Sequence, residues 1–167
     1  MTMATSWSYV PGDTYKPAGT IIHYLVDIVA KGGNYLLNVG PGPLGDYDTV
    51  AYARMKEIGA WIKVSGSAIY STRPVAPYKV NNICFTQNKN KSVNAIYLAA
   101  ENETVMPAVI RIKGIKPVAK ASIQLLGVKG NLKWKTEAGE TVISIPAAVQ
   151  KNPPCRYAWA LTISQVE

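Results

Sequence analysis

Two aspartates and one histidine are the residues of this 167-residue sequence whose types and positions suggest chemistry. Asp46 and Asp48 follow a short apolar run and could form a carboxylate pair, although Asp46 also suits a turn and Asp48 a helix N-cap. His23, the only histidine, lies in a helical pattern among apolar residues, which favours a packing or surface-edge role. A single histidine excludes His-based triads and multi-histidine metal sites, so we predict no metal site and no cofactor.

Aromatic residues form the second candidate, in the N-terminal stretch Ser6-Trp7-Ser8-Tyr9. Nearby Pro11 and Gly12 indicate that this stretch is a loop. Exposed aromatic side chains in loops can stack on sugars or shield a substrate, because one end of the ring system is apolar and the other polar. A simple packing role fits the same residues equally well.

The segment Gly40-Pro41-Gly42-Pro43-Leu44-Gly45 formally matches the G-x-G-x-x-G pattern of dinucleotide-binding loops. A phosphate cradle needs free backbone N–H groups, and each of the two prolines removes one. The next helical pattern also begins several residues too late. We therefore interpret the segment as a stiff loop at the carboxyl end of a strand, which is where barrel enzymes build their sites.

The positive charge of the chain, +8 in total, is concentrated in its second half. Residues 1–77 contain six basic and five acidic residues, whereas residues 78–167 contain twelve and five. Ten of those twelve cations are lysines placed singly between strand-like residues, a pattern that protects sheet edges and keeps surfaces soluble. This interpretation is favoured over a polyanion-binding surface, and we predict no nucleic-acid partner.

Overall composition indicates a globular chain, since 48% of the residues are hydrophobic. No apolar run approaches the length of a membrane span and no export signal begins the sequence, so no membrane partner is predicted. Cys84 and Cys155 are too few and too far apart for a disulfide framework. Two buried thiols are favoured over a bridge between them.

The first half of the chain has a helix–strand–helix pattern. Apolar residues recur at helical spacing between Pro17 and Lys31, and Gly32 follows them as a stop signal. The run Tyr35–Val39 predicts a short strand buried on both faces, and a second helix is expected from Asp48 or Thr49 to Gly66. This order is typical of a parallel α/β sheet, but a single strand needs neighbours on both sides.

The hydrophobic period changes near residue 75, after a predicted linker containing Pro74 and Pro77. Seven short strands are expected beyond it, at 79–86, 93–100, 107–113, 120–126, 131–135, 141–145 and 156–164. The last run alternates, which predicts that Tyr157, Trp159 and Leu161 face a common core. About seven strands in ninety residues are typical of an antiparallel sandwich.

Three stretches of the first half together resemble the α-L-fucosidases of glycoside hydrolase family twenty-nine. They are MTMATSWSY at 1–9, LVDIVAKGGNYLLNVGP at 25–41 and IGAWIKVSGSAIYSTRP at 58–74, in the family's order and spacing. The resemblance implies an α+β chain with two domains. Residues 1–75 correspond to the last βα units of a (β/α) barrel, with Met1–Met3 as a strand end, and residues 78–167 to a C-terminal β-sandwich.

Family members hydrolyse α-L-fucosides of glycans with retention, using an aspartate nucleophile and a glutamate acid/base. The resemblance places both carboxylates upstream of the MTMATSWSY motif, so no catalytic residue is expected in this chain and the chain alone is expected to be inactive. It implies that Trp7 contributes to an apolar wall around the fucose methyl group, with Asn38 as a weaker substrate-facing candidate. The family's usual compartments are secreted, periplasmic or lysosomal.

A second interpretation belongs to a different class of function, in which the sandwich acts as a carbohydrate-binding or interaction module. Under the first interpretation the fucosylated glycan is the partner. The strand and both helices then face barrel elements that these residues do not include. We therefore predict self-association through residues 1–66, with the sandwich outside the contact; the alternative is a compact monomer in which the helices cover the strand.

Overall fold

A computed structural model describes residues 1–167 and contains three α-helices, one 3-10 turn and eight β-strands. The helices are α1 Ala18–Ala30, α2 Thr49–Ser65 and α3 Ala147–Lys151, with the 3-10 turn at Gly66–Ala68. The strands are β1 Arg73–Val80, β2 Ile83–Gln87, β3 Val93–Leu98, β4 Val109–Ile112, β5 Ile123–Leu125, β6 Lys133–Glu137, β7 Glu140–Ser144 and β8 Ala158–Ile163. None of the helices has both the length and the apolar composition that crossing a membrane requires.

The two long helices confirm the predictions made from their sequence signals. α1 begins directly after Pro17, whose fixed φ suits a helix start, and it is followed at Gly32 by a left-handed backbone with φ +82°. α2 ends at Ser65, directly before Gly66, as expected. The buried face of α1 comprises Ala18, Ile21, Ile22, Val26 and Ala30.

The segment 35–39 differs from its prediction. It is extended but belongs to no sheet, and it forms a single parallel bridge between Asn38 and Thr2. The Leu36 side chain is 77% exposed, so the strand is not buried on both faces. The physical reason is that residues 1–3 cover one edge only, and a strand is enclosed only when elements pack on both of its sides.

The second half forms two antiparallel sheets, as the strand pattern predicts. One sheet has five strands in the order β1-β2-β3-β8-β5, and the other has three in the order β4-β7-β6. Apolar residues from both sheets form one continuous core, including Phe85, Ile110, Ile123, Ile143, Trp159 and Leu161. The sheets therefore pack face to face as a sandwich.

A second core lies on the outer face of the five-stranded sheet, where α1 and α2 cover it. Ile22 and Val26 of α1 and Trp61 of α2 pack there against Ala158 and Ala160 of β8. The Trp61 indole N–H donates to the Ala158 carbonyl oxygen at 2.9 Å, which fixes α2 onto the sheet. β8 thus supplies large side chains to one core and alanines to the other.

The prediction for Tyr157 is wrong, because this residue precedes β8 and its backbone is left-handed with φ +74°. The side chain leaves the alternation and packs against the helices instead of facing the sandwich core with Trp159. Both cysteines are free, in agreement with the favoured interpretation. Cys84 is fully buried, and this burial raises the pKa of its thiol to about 11.

Three further boundaries differ from expectation. The predicted linker is strand β1, an edge strand whose prolines need no partner on its open side. The predicted strand 79–86 is divided by a turn at Asn81 and Asn82 into the end of β1 and most of β2. Helix α3 was not predicted, because its five residues after Pro146 are too few to establish a helical period.

Candidate functional site

The N-terminal residues and the segment 35–39 create the edge on which the candidate site stands. The Met3 N–H donates to the Asn38 carbonyl oxygen at 2.8 Å, and the Asn38 N–H donates to the Met1 carbonyl oxygen at 2.9 Å. These bonds define a parallel pair, so both segments end at the same side of the molecule. The fully buried Met3 side chain anchors the pair against Ile21 and Ala51.

The loop between Met3 and α1 folds back on itself before the helix begins. Ala4 and Tyr15 form an antiparallel bridge, and the Lys16 N–H returns to the Met3 carbonyl oxygen at 2.9 Å. Asp13 closes the tip, because its carboxylate accepts the Ser6 N–H at 2.9 Å and the Thr14 N–H at 2.7 Å. The bond from the Ser6 N–H is the main reason that the pKa of Asp13 lies below its usual range.

Trp7 stands at the outer end of this loop with 72% of its surface exposed. Its carbonyl oxygen accepts a hydrogen bond from the Asn38 side-chain amide at 2.8 Å. The two candidate substrate-facing residues are therefore joined, although 31 positions separate them in the chain. Asn38 has its amide donor engaged with the loop backbone, which gives it the geometry of a residue that positions Trp7.

The glycine-rich loop approaches the Trp7 loop closely. A Cβ atom at Gly40 would lie 2.5 Å from the Tyr9 backbone nitrogen, so no larger residue fits between the two loops. The loop 40–46 is tightened by bonds from the Gly42 N–H to Asp46 at 2.6 Å and from the Gly45 N–H to Gly42 at 2.9 Å. These N–H groups are used within the loop, in agreement with its interpretation as a stiff turn.

Asp46 and Asp48 each have a tyrosine partner. The Asp46 carboxylate accepts the Tyr52 hydroxyl and the Tyr47 N–H, and these bonds lower its pKa. The Asp48 carboxylate accepts the Tyr15 hydroxyl at 3.1 Å and makes no capping bond, although Asp48 occupies the N-cap position of α2. Burial and then Asp48 raise the pKa of Tyr15. Both aspartates therefore have structural contacts. Asp46 links its turn to α2 through Tyr52, in agreement with its predicted turn role, and Asp48 links the start of α2 to the loop that contains Tyr15.

His23 lies away from this edge, on the side of α1 that faces β8. Its Nε2 atom is 2.8 Å from the Tyr157 carbonyl oxygen, which agrees with the predicted packing role. Tyr157 in turn donates its hydroxyl to Glu57 of α2, and Arg54 pairs with the other oxygen of that carboxylate at 2.8 Å. No group of three or more His, Cys, Asp or Glu side chains is close enough together to hold a metal ion.

Sequence reasoning did not find the Asn38–Trp7 bond or the tyrosine partners of the aspartates. Tyr15 and Tyr52 belong to a loop and a helix whose approach depends on tertiary packing. The one available signal is Gly40, since a glycine between a strand and a prolyl loop indicates a close backbone approach.

Comparisons with known proteins agree with this architecture. The family model described as alpha-L-fucosidase C-terminal domain matches residues 78–164, and the model described as alpha-L-fucosidase matches residues 1–67. The chain belongs to the α-L-fucosidase family. What it matches is the C-terminal part of such proteins.

Relatives of this chain include the tissue alpha-L-fucosidases of mouse and human. The mouse protein is 32% identical over 168 residues, which cover 96% of this chain and 36% of the relative. The human protein is 32% identical over 151 residues, covering 88% and 31% respectively. The chain thus spans about a third of the length of the curated relatives it matches.

Solved structures share the fold. An α-fucosidase of Thermotoga maritima, in complex with a mechanism-based inhibitor, superimposes with a TM-score of 0.83 at 23% identity. The match covers 98% of this chain and 38% of that chain. Alpha-L-fucosidase isoenzyme 1 of Paenibacillus thiaminolyticus gives a TM-score of 0.79 at 25% identity and covers 100% of this chain and 39% of the other.

Proposed function

We propose that this chain provides the C-terminal part of a retaining α-L-fucosidase that hydrolyses terminal α-L-fucosides of glycans. The observation that carries the proposal is the parallel pair of residues 1–3 and 35–39, which presents Trp7 where two strands end, in a chain that belongs to this family. Active sites of (β/α) barrels lie at that end of the strands.

The division into a barrel portion, residues 1–75, and a sandwich, residues 78–167, is part of the same proposal. Its support is the backbone of the segment 35–39. The N–H and C=O groups of Leu37 and Val39 make no backbone hydrogen bond, so one edge of the parallel pair is open. Burying such groups requires a further strand, which a barrel would supply.

Retaining hydrolysis needs two carboxylates about 5–5.5 Å apart, one to attack the sugar and one to protonate the leaving oxygen. The loops beside the parallel pair contain three carboxylates, and each is held in a structural contact: Asp13 by backbone N–H groups, Asp46 and Asp48 by tyrosine hydroxyls. We therefore expect the 167 residues alone to be inactive, with the nucleophile and the acid/base supplied by sequence upstream of the MTMATSWSY motif.

An aryl α-L-fucoside assay tests this expectation directly. The purified chain should release no nitrophenol above background, and its Asp46→Asn and Asp48→Asn variants should not differ from it. Turnover by the chain that either substitution abolishes would contradict the proposal, because the chain would then contain its own catalytic carboxylate.

In a longer protein that includes the upstream sequence, Trp7 is proposed to form an apolar wall for the fucose methyl group. Trp7→Ala should lower kcat/KM by about tenfold, the loss expected for one apolar contact of this size. Asn38→Ala should show a smaller loss of the same kind, because Asn38 acts through the position of Trp7. Tyr24→Ala, at an exposed aromatic residue on α1, is the matched control and should leave kcat and KM unchanged.

We further propose that the isolated chain self-associates through the open edge of residues 1–66, with a second copy as the occupant. Leu36, in the segment itself, and Leu44, in the loop that follows it, are 77% and 98% exposed, and unpaired strand backbone can pair with a second copy of itself. The sandwich, which encloses most of its large apolar residues in its own core, stays outside this contact.

A further inference from the structure

A cleft of about 460 Å³ lies between the start of α1 and one end of the five-stranded sheet. Neither Trp7 nor Asn38 lines it. Its walls include Thr20, His23, Asn82, Glu103, Arg156 and Tyr157. The volume falls within the range of roughly 300–1,000 Å³ that small-molecule sites occupy.

Hydrogen bonds to the backbone fix the walls of this cleft. His23 Nε2 is held by the Tyr157 carbonyl oxygen at 2.8 Å, and the Asn82 amide donates to the Leu98 carbonyl oxygen at 2.9 Å. The Glu103 carboxylate accepts the Ala100 N–H at 2.9 Å and the Tyr97 hydroxyl at 3.0 Å. The cleft is therefore formed before any ligand enters, which lowers the entropic cost of binding.

The charges along the cleft cancel. Lys79 and Arg156 are its cations, and Glu101 and Glu103 are its carboxylates. Lys79 is also paired with Asp27 at 2.8 Å, and Asp27 in turn pairs with Lys31, so these neighbours add no net charge to the lining. An anion would meet two carboxylates and a cation two positive groups, so this lining favours an uncharged ligand.

Unused hydrogen-bonding groups then define the chemistry of that ligand. The Arg156 guanidinium has no hydrogen bond or ion pair and lies 5.1 Å from the centre of the Tyr157 ring. The second ring nitrogen of His23 and the hydroxyl of Thr20 are also without partners. Donors and acceptors interleaved in this way match neighbouring hydroxyl groups, each of which both donates and accepts.

We infer that the cleft binds a neutral saccharide, with Arg156 and His23 contacting its hydroxyl groups. This goes beyond the proposed hydrolysis, because binding in this cleft requires no catalytic carboxylate. A glycan could be held there by the sandwich and α1 together, since residues from both line the cleft.

Ligand-observed saturation-transfer NMR on the whole 167-residue chain tests the inference, with L-fucose, lactose and chitobiose as probes. Arg156→Ala should weaken binding about tenfold, the loss expected for a hydrogen bond to a charged group. Ala100→Trp introduces a bulky side chain at an exposed position in the wall and should abolish transfer. Arg111→Ala, at an exposed arginine on the three-stranded sheet, is the matched control and should bind as the unmodified chain does.

Circular dichroism establishes that each variant is folded, and the two cleft variants are independent of each other. Absence of saturable transfer from all three sugars would overturn the inference. The inference would also be overturned if both cleft variants gave the same transfer as the unmodified chain. The same holds if Trp7→Ala removed the transfer and the cleft variants retained it. Inorganic phosphate, which has no carbon-bound protons, is tested by competition, and loss of the sugar signal at phosphate concentrations below those of the sugars would overturn the ligand class. None of these measurements depends on hydrolysis, so failure here and failure of the fucosidase proposal are distinguishable.

Discussion

Residues 1–66 and the rest of the chain differ in how far their apolar side chains are buried. Of the 34 fully buried hydrophobic residues, 26 lie after residue 66 and eight before it. Exposure is reversed, since seven of the eleven exposed large hydrophobics belong to residues 1–66. The sandwich thus encloses its own core. Residues 1–66 divide their buried apolar residues between the contact with the five-stranded sheet and a small cluster around Met3, and leave other apolar side chains exposed.

Strand β8 connects the two parts of the chain, because it contributes side chains to both hydrophobic cores. It lies between β3 and β5 within the five-stranded sheet, with the sandwich core on one face and the helices on the other. Perturbing β8 should therefore affect the whole fold, perturbing the helix contact should affect the junction, and perturbing the open edge should leave stability unchanged.

Trp159→Ala should have the largest effect. The side chain is 1% exposed in the sandwich core, and truncating a buried tryptophan costs about 3–5 kcal/mol of unfolding free energy. Denaturant unfolding of this variant should show a clear loss of stability, while Trp7→Ala, 72% exposed, should unfold as the unmodified chain does. Equal midpoints for the two variants would mean that the sandwich core is not where the structure has it.

Tyr157→Phe should have an intermediate effect, confined to the junction. Its hydroxyl donates to the Glu57 carboxylate, a contact worth about 1–2 kcal/mol at this partly exposed position. The bond from Tyr157, followed by the one from Arg54, lowers the pKa of Glu57 below 4.5, and burial followed by Glu57 raises the pKa of Tyr157 above 10.0.

The sign of the pH dependence follows from those two directions. The contribution of Glu57 is complete above pH 4.5 and is lost as the pH falls through its lowered folded-state pKa. The contribution of Tyr157 is complete below pH 10.0 and is lost as the pH rises through its raised pKa. Unfolding measured from pH 3 to 8 should therefore show a smaller acid loss in Tyr157→Phe than in the unmodified chain, with Tyr24→Phe as the control. Parallel curves for all three proteins would exclude a stabilising role for this pair.

Gly59→Ala should have a small effect of the opposite sign. Gly59 lies inside α2, and a Cβ atom there would meet nothing within 4 Å. Alanine is favoured over glycine in a helix interior by about 0.5–1 kcal/mol, so the variant should be more stable. Gly40→Ala is the contrasting variant, since its Cβ would collide with the Tyr9 backbone and should destabilise the loops. A stability gain at both positions would mean that the two loops do not approach each other closely.

The helices and most of the strands could be predicted because their signals are local. Pro17 marks the start of α1 and Gly66 marks the end of α2. The alternation from Trp159 to Ile163 identifies the face of β8 that lies in the sandwich core. The face of Tyr157 could not be predicted, since its left-handed backbone interrupts the alternation. The prolines of strand β1 predict a linker, because proline is rare inside a sheet, and only the edge position of β1 makes them tolerable.

The candidate site was predictable only in part, for a different reason. The sequence motif identified Trp7 and Asn38 separately, but the hydrogen bond between them arises from the parallel pairing of segments that lie far apart in the chain. The apolar run Tyr35–Val39 predicts more burial than the structure shows. Such a run indicates that the strand is suited to burial on both faces, but it does not show which elements are present to cover it.

The open edge of residues 1–66 should have the smallest effect on stability and the clearest effect on association. Leu36→Ser and Leu44→Ser remove exposed apolar groups, so each should change the unfolding free energy by less than about 0.5 kcal/mol. Light scattering of the unmodified chain should give a mass above 18.1 kDa that rises with concentration, and the double variant should approach the monomer. Val105→Ser and Val109→Ser, at exposed positions on the sandwich, form the matched control and should leave the association unchanged. A monodisperse monomer of the unmodified chain at tens of micromolar would contradict self-association. In that case the exposed leucines and the unpaired backbone groups of Leu37 and Val39 would be solvated by water and would not contact a second copy.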